Sequence, residues 1–520
     1  MAEQTEALRG RERDRVLLVL LSALFFSLIT VSIINVALPA IETGLNASAA
    51  DLQWALTGYS LTFGVVLVAA GRAGDLLGRG RLFLAGVTLF GIASTVASLA
   101  PNALVLNLAR AVMGVGAGLY NPQVSGLIQQ HYRGAERARA FGLFGAVVGT
   151  AVAIGPVIGG LLLGSLPSWL GWRMTLGINI PLALLAVILG WRWLPREGRT
   201  VRRQHTTDHG SAAPAADNGS DPQGSMPHPH HDLDPFGAVL LGVAVLFVML
   251  PFMVAAENPL AWWALPTGLV VLGIWLLWEH NYTRRGHEPM VNLAMFRIRT
   301  FSLGAAMITA FFAGTTTIWV LIALFVQNGL GRSALVAGLI GMPSALLSIY
   351  SAPLGGRLVV RWGRKIVVFG LLCNLTGLAL TAWVSTFVAN GAGVWLLALS
   401  TLPLGFGAGW INSPNQVLSL RDVPVANGGT AAGIMQTGQR IATAVGTAAV
   451  TGLFFQQVAH GYAHALRMGY ALIASFVIVA LVIALADLAA DSRARTADTS
   501  PVLSDNERAT VRRVVDEDTH

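Results

Sequence analysis

The residues with the clearest capacity for chemistry are one aspartate and three arginines in a single short segment. Residues 71–81 read GRAGDLLGRGR and hold Asp75 together with Arg72, Arg79 and Arg81. A carboxylate among guanidinium groups can form ion pairs, cap a helix or change its protonation state. Because glycines surround these charges, the chain can turn tightly there. The pattern predicts a turn between two helices whose aspartate acts either as a protonation switch or as a purely structural lock.

The same pattern recurs in the second half of the chain. Residues 356–365 read GRLVVRWGRK, in register with residues 71–81. Four positions match at a constant shift of 285, with Gly71, Arg72, Gly78 and Arg79 returning as Gly356, Arg357, Gly363 and Arg364. GVGAGLYNPQ at 114–123 returns as GFGAGWINSPNQ at 405–416 with a shift of 291. Two copies in register indicate an internal duplication.

The composition is typical of a membrane protein. The chain has 520 residues, 54% of them hydrophobic and 12% charged, and its mean hydropathy is +0.63. Soluble domains carry about a quarter charged residues. The net charge of +8 does not indicate nucleic-acid binding, because the basic residues are spread over short loops between apolar runs. The single cysteine, Cys373, excludes an intramolecular disulfide and a cysteine-based metal cluster.

Apolar runs of about 20 residues predict transmembrane helices, since only a helix satisfies its own backbone in lipid. Fourteen spans are predicted, beginning near residues 16, 52, 82, 104, 139, 174, 236, 261, 301, 334, 366, 393, 430 and 467. The predicted fold class is an all-α polytopic membrane protein with two six-helix bundles and two inserted helices. Arginine-rich loops alternate with arginine-poor loops, which predicts that both termini and the 71–81 turn are cytoplasmic.

The predicted division has five parts. They are an N-terminal bundle at 1–195, a linker at 196–233, two inserted helices at 234–280, a C-terminal bundle at 281–490 and a tail at 491–520. The linker and tail are polar, so we expect both to be disordered. The histidines at 228–231 could bind a transition metal, although a solvated linker is the simpler interpretation.

The motifs resemble the major facilitator superfamily, and within it the fourteen-span drug:proton antiporters. The 71–81 turn is similar to the signature between spans two and three, with Leu76 where the family usually has arginine. Arg110, Gly114, Gly116 and Ala117 resemble the fourth-span motif, with Met113 where glutamine is common. GTAVAIGPVIGG at 149–160 is similar to the fifth-span motif of exporters, and residues 172–181 and 289–301 also resemble the fourteen-span branch.

The resemblance implies a monomeric exporter of drugs, antibiotics or dyes in the cell membrane, driven by protons without a bound cofactor. The candidate coupling and gating residues are Asp75, Arg72, Arg79, Arg110, Arg137, Gly155 and Pro156. Asp75, coupled to Arg110 or Arg137, is the candidate for protonation. A bare charge within a span costs about 2.5–3.5 kcal/mol, so Arg110 needs either a carboxylate or backbone carbonyls. Gly155 and Pro156 predict a bent fifth helix close to a neighbour.

An expected acid is missing from the first span. The resemblance implies an aspartate that exchanges protons where this chain has Thr30. Neutral, zwitterionic or weakly anionic amphiphiles therefore fit better than organic cations. The predicted substrate cavity is lined by Phe25, Thr30, Asn35, Tyr120, Asn121, Gln123, Phe312, Thr316, Trp319, Trp410, Asn412, Asn415 and Gln436. Aromatic walls with a few amides suit bulky, partly apolar ligands.

Two alternatives remain open from the sequence. One is uptake or uncoupled facilitated diffusion of a metabolite. The other is a membrane-embedded enzyme, although no cluster of His, Asp, Ser or Cys has catalytic spacing. No G-x-x-x-x-G-K-[ST] segment is present, so ATP is not expected to drive the protein directly.

Overall fold

The computed structural model describes residues 10–194, 234–254, 258–285, 287 and 289–499. These residues form helices and short connections, with no strand among them. The predicted linker and its histidines lie outside the described residues, as does the chain beyond residue 499. The all-α prediction is therefore confirmed for the described part.

The N-terminal bundle is formed by α1 (Gly10–Leu45), α2 (Ala49–Leu77), α3 (Arg79–Ser98), α4 (Ala103–His131), α5 (Gly134–Ser165), α6 (Ser168–Gly177) and α7 (Asn179–Trp193). Capping residues set where helices begin. Ser48 accepts a hydrogen bond from the amide of Asp51, whose carboxylate accepts one from the amide of Ser48, so α2 starts with a capping box. Asn102 caps α4 in the same manner by accepting from the amide of Val105.

The rest of the described chain is formed by α8 (Pro235–Val254), α9 (Ala264–Arg284), α10 (Arg299–Thr315), α11 (Thr317–Leu324), α12 (Ala334–Trp362), α13 (Lys365–Ala389), α14 (Leu396–Ser400), α15 (Leu402–Ser419), α16 (Gly428–Gln457) and α17 (Tyr462–Thr499). The last helix continues past Asp491, where the disordered tail was predicted to begin. A π-helical turn, Phe325–Gly329, extends α11.

Twelve helices in the described part are long and apolar enough to cross a bilayer. The two predicted spans that are not among them correspond to α5 and α15. Part of α5 has side chains outside the described residues. In α15, Asn412, Asn415 and Gln416 lower the hydropathy of an 18-residue helix. The count of fourteen therefore stays a prediction.

Equivalent glycines make equivalent contacts in the two bundles. A Cβ atom on Gly71 would collide with the carbonyl of Gly429, and one on Gly356 would lie 2.5 Å from the carbonyl of Ala138. Ala138 and Gly429 are related by the shift of 291. The helices α2, α3 and α4 pack together as α12, α13 and α15 do. The duplication seen in the sequence is therefore also a duplication of packing.

Both copies of the glycine–arginine turn lie at the same end of the molecule. Gly78 follows α2 with φ of 103° and Gly363 follows α12 with φ of 54°, a backbone conformation that favours glycine. The ends of α4 and α15 also meet here, where Gln129 donates to the carbonyl of Leu420 at 3.0 Å. We call this end of the bundle the turn end.

Helix α8 of the inserted pair packs against α2 and α16, and α9 packs against α8. Met249 lies against Gly64, and Gln53 donates to the carbonyl of Met253 at 2.9 Å. Most of α9 is exposed apolar surface, as expected of a helix that faces lipid. The pair therefore covers the seam between the two bundles from outside.

Candidate functional site

Asp75 joins the two bundles at the turn end. It lies in the last turn of α2, and its side chain is 1% exposed. The carboxylate accepts hydrogen bonds from the amides of Gly429 (3.0 Å) and Thr430 (2.9 Å) and from the Thr430 hydroxyl (2.8 Å). These are amides of the first turn of α16, which lack partners within the helix and attract negative charge. One carboxylate thus ties α2 of the first bundle to α16 of the second.

Arg79 completes this junction. Its Nη2 atom lies 2.8 Å from Asp75 Oδ1, and its Nη1 atom donates to the carbonyl of Gly126 at 2.8 Å. The guanidinium also donates to the carbonyl of Val425 across the bundle interface. Gln129 adds bonds to the carbonyls of residues 420 and 423. We call Asp75, Arg79 and Gln129, together with the groups that they bind at residues 420, 423, 425, 429 and 430, the turn-end lock.

The second copy of the turn forms a different ion pair. Val360 stands where the first copy has Asp75, so Arg364 has no carboxylate on its own helix pair. Its Nε atom instead lies 2.5 Å from Asp487 of α17, and its Nη1 atom lies 2.6 Å from Asn415 Oδ1. This pair stays within the C-terminal bundle. The sequence analysis did not identify Asp487 as a site residue. A buried guanidinium needs a carboxylate partner, and this requirement could have pointed to Asp487 as the partner of Arg364.

Arg110 binds backbone rather than an acid. Its side chain is buried, its Nε atom donates to the carbonyl of Ala55 at 2.8 Å, and its guanidinium lies 4.7 Å from the ring centre of Tyr59. The predicted pairing of Asp75 with Arg110 or Arg137 is not present, because Asp75 pairs with Arg79.

The other gating candidates lie apart from Arg110. Arg137 is half-buried in the first turns of α5, within electrostatic range of Asp422. Arg72 is half-buried near the end of α2. A side chain on Gly155 would collide with Ser32, so α5 lies close against α1 as predicted. The side chain of Pro156 is outside the described residues.

Several predicted cavity residues are instead buried inside the N-terminal bundle. Thr30 is fully buried, and its hydroxyl lies 2.7 Å from the carbonyl of Phe26 and 3.0 Å from Asn179 Oδ1. Tyr120, also fully buried, packs edge-on against two phenylalanine rings of α3. Asn121 donates to the Ser27 hydroxyl at 3.2 Å. These three side chains join helices of one bundle.

Three further candidates have similar roles. Gln123 is fully buried and donates to the carbonyl of Ala70 at 2.7 Å. Asn415 donates to the carbonyl of Gly304 and also holds Arg364. Trp410 packs among the aromatic rings of Trp362, Phe369 and Phe406. Buried amides bind neighbouring backbone because an unpartnered polar group in an apolar interior is costly.

The remaining cavity candidates keep some exposure and are compatible with a cavity. They are Phe25, Phe312, Thr316, Trp319, Asn412 and Gln436. Thr316 lies at the break between α10 and α11, where a helix interruption exposes it. The side chain of Asn35 is outside the described residues.

Asp422 lies outside the predicted spans, in the loop that follows α15 at the turn end. Burial raises the pKa of Asp422, but hydrogen bonds from Arg421 and Thr300 outweigh it and hold the pKa below its usual value. The Thr300 hydroxyl donates to Asp422 at 2.9 Å. Asp422 is therefore ionised near neutral pH and, within the described residues, is bonded to its own bundle.

Both the sequence and the fold of this chain are similar to those of known membrane transporters. Residues 20–447 match the family described as Major Facilitator Superfamily. The chain is 31% identical to a probable actinorhodin transporter of Streptomyces coelicolor, over 84% of this chain and 72% of that one. It is 30% identical to the puromycin resistance protein pur8 of Streptomyces alboniger, over 83% and 80%. The solved structure of the proton:xylose symporter XylE has the same fold, with a TM-score of 0.62 and 16% identity over 91% and 95% of the chains.

Proposed function

Because the chain belongs to the major facilitator superfamily, we propose that it is a secondary active exporter of hydrophobic or amphipathic small molecules such as antibiotics and dyes. The chain is a multi-span transporter and not an enzyme. Relatives named for antibiotic export or resistance, which include those for puromycin and tetracenomycin C, support export over other transport functions. The turn-end lock is the structural observation that carries the mechanism.

We propose that transport proceeds by alternating access between the two bundles. In this structure the turn-end lock holds α2 against α16 through Asp75, so the bundles are closed at that end. For the turn end to open, the hydrogen bonds that Asp75, Arg79 and Gln129 form across the interface between the two bundles must break. Substrate then enters from the turn end and leaves at the opposite end after the lock re-forms.

We propose that proton entry drives this cycle and that Asp75 is the switching group. Protonation of the carboxylate removes its attraction for Arg79 and for the first amides of α16, which favours separation of the bundles. One proton crossing about 100 mV and one pH unit supplies roughly 3.7 kcal/mol, enough for a gradient of several hundredfold. A structural lock without protonation is the alternative for the same residue.

The proposed topology has fourteen spans, with α5 and the α14–α15 pair added to the twelve long apolar helices. The arginine-rich loops support a cytoplasmic turn end and cytoplasmic termini in the plasma membrane. We propose a monomer, because each bundle completes its packing within one chain. The energy source is the proton gradient, with no bound cofactor.

Growth of a pump-deficient bacterial host on a panel of antibiotics and dyes tests the function. Expression of the chain is expected to raise resistance to several amphipathic compounds, and a proton uncoupler is expected to remove the protection. Unchanged sensitivity at a verified level of membrane protein contradicts the export function. The control is the Asp75→Asn variant at the same expression level, which is expected to protect poorly.

A metabolite transporter of the same fold is the second candidate, because one relative is named as a riboflavin transporter, with 26% identity over 86% of this chain. Inside-out vesicles distinguish the two. Substrate accumulation that collapses with an imposed pH gradient supports proton-coupled export. Equilibration of substrate without accumulation supports an uncoupled facilitator.

A further inference from the structure

Arg440 lies deep in the seam between the bundles without an acidic partner. It is twelve residues from Gly428 at the turn end of α16, which corresponds to about 18 Å along the helix and places it near mid-membrane. Its guanidinium lies 4.4 Å from the ring centre of Phe63 on α2, in the other bundle. Within the described residues it forms no ion pair and no hydrogen bond. Its side chain is half-buried.

A second arginine without a carboxylate partner stacks on the other ring of the same aromatic pair. Arg110 of α4 stacks on Tyr59, whose ring is 5.9 Å from that of Phe63. Its Nη1 atom is buried without a hydrogen-bond partner. Two guanidinium groups, one from each bundle, therefore flank a Tyr–Phe pair in α2. A guanidinium without a carboxylate in an apolar interior is costly unless another group compensates it.

The described residues supply no carboxylate that could neutralise this pair. Every described aspartate or glutamate side chain lies near a helix end, in a loop or beside the turn-end arginines: Glu12, Asp14, Glu42, Asp51, Asp75, Glu136, Asp234, Glu279, Asp422, Asp487 and Asp491. Thr30, in the first span, has its hydroxyl bonded within its own bundle. The potential at mid-seam is therefore positive.

We infer that the exporter takes aromatic substrates that carry an acidic group, and that Arg440 is the residue that selects them. A carboxylate, sulfonate or acidic phenolate on an aromatic scaffold would neutralise Arg440, while its ring would pack beside Phe63. Gln436, one turn before Arg440 on α16, keeps some exposure and can donate to the same anion. Arg110, stacked on Tyr59, adds to the positive potential, and organic cations are repelled. This inference rests on the proposed export function and specifies its substrate class.

Transport in inside-out vesicles tests it with two xanthene dyes of opposite charge, fluorescein and rhodamine 6G. The variants are Arg440→Gln, Arg440→Lys and Arg440→Glu, and the matched control is Arg332→Gln, an exposed arginine on a loop. The wild-type protein is expected to accumulate fluorescein in preference to rhodamine 6G. Arg440→Gln is expected to weaken the apparent affinity for fluorescein by about tenfold or more, the range for a lost charge-assisted hydrogen bond. Arg440→Lys is expected to retain part of it, and Arg440→Glu to shift preference toward rhodamine 6G.

Three results would overturn the inference. The first is wild-type transport of rhodamine 6G but not of fluorescein, which leaves the export function intact. The second is an equal loss of both dyes in Arg440→Gln with an unchanged unfolding temperature, which gives the arginine a role in transport that does not depend on the charge of the substrate. The third is the absence of transport of either dye and of any other compound by the wild-type protein, which removes the export function as well. Unaltered transport by Arg332→Gln is expected in every case.

Discussion

Replacing Asp75 with asparagine is expected to open the turn end. The substitution removes the charge that Arg79 pairs with at 2.8 Å, and it turns an amide NH₂ toward the donors of Gly429 and Thr430. Both partners of the ion pair are almost fully buried, with 5% and 1% of their side chains exposed. Breaking a buried pair by removing one partner costs about 3–5 kcal/mol. Since 1.4 kcal/mol is a factor of ten, the closed population should fall by roughly two to four orders of magnitude relative to the open one.

Distances between spin labels measure this change directly. Labels at Leu77→Cys and Val425→Cys lie on exposed positions on either side of the turn-end lock, and replacing Cys373 by serine leaves no other thiol. With Asp75 intact, we expect a narrow distribution of short distances. In the Asp75→Asn variant, a second population at longer distance should dominate.

Asp422→Asn is the matched control for this experiment. Asp422 lies at the same end of the molecule but outside the lock. Its described hydrogen bonds are to Arg421 and Thr300 of its own bundle, and its interaction with Arg137 of the other bundle is a longer-range attraction without a described hydrogen bond. Its replacement should therefore leave the distance distribution unchanged. If Asp75→Asn also leaves the distribution unchanged, the carboxylate does not hold the bundles together and the reasoning from its hydrogen bonds is refuted. An equal opening in both variants would show that net charge at the turn end matters rather than the lock.

Three further substitutions give independent expectations. Gly71→Ala should reduce transport and lengthen the distance between the two spin labels, because a methyl group there collides with the backbone of α16. Gly58→Ala on the same helix meets no atom within 4 Å and should behave as wild type. Asp487→Asn removes the carboxylate that pairs with the buried guanidinium of Arg364 and should lower the free energy of unfolding by about 3–5 kcal/mol. Denaturation in detergent measures this change. A change below about 1 kcal/mol would argue against a buried pair. Thr30→Asp places a charge at a position with 0% exposure and should lower the unfolding temperature without adding proton coupling. Thr30→Ser keeps the hydroxyl and should change the unfolding temperature little. Proton-coupled transport gained in the aspartate variant would contradict the buried position of this side chain.

The class of protein and its internal duplication follow from the amino-acid sequence alone. The length of an apolar run and the positions of charged residues are local properties, so most spans could be located from them. The repeat shifts also relate contacts that the structure shows, since the contact of Gly71 with Gly429 and that of Gly356 with Ala138 are connected by the same two offsets. Glycines that allow helices to touch must recur wherever the packing recurs.

Which residues face one another depends on how the helices pack in three dimensions. Asp75 binds the start of a helix 354 residues away, a pairing that no local pattern reveals. Thr30 and Tyr120 were predicted to line a cavity, but both are fully buried inside one bundle. The helical period shows which residues share a face, whereas the neighbour that the face meets depends on how all the helices assemble. For the same reason, it is the packing of α16 on α2 that places Arg440 beside an aromatic ring of the other bundle.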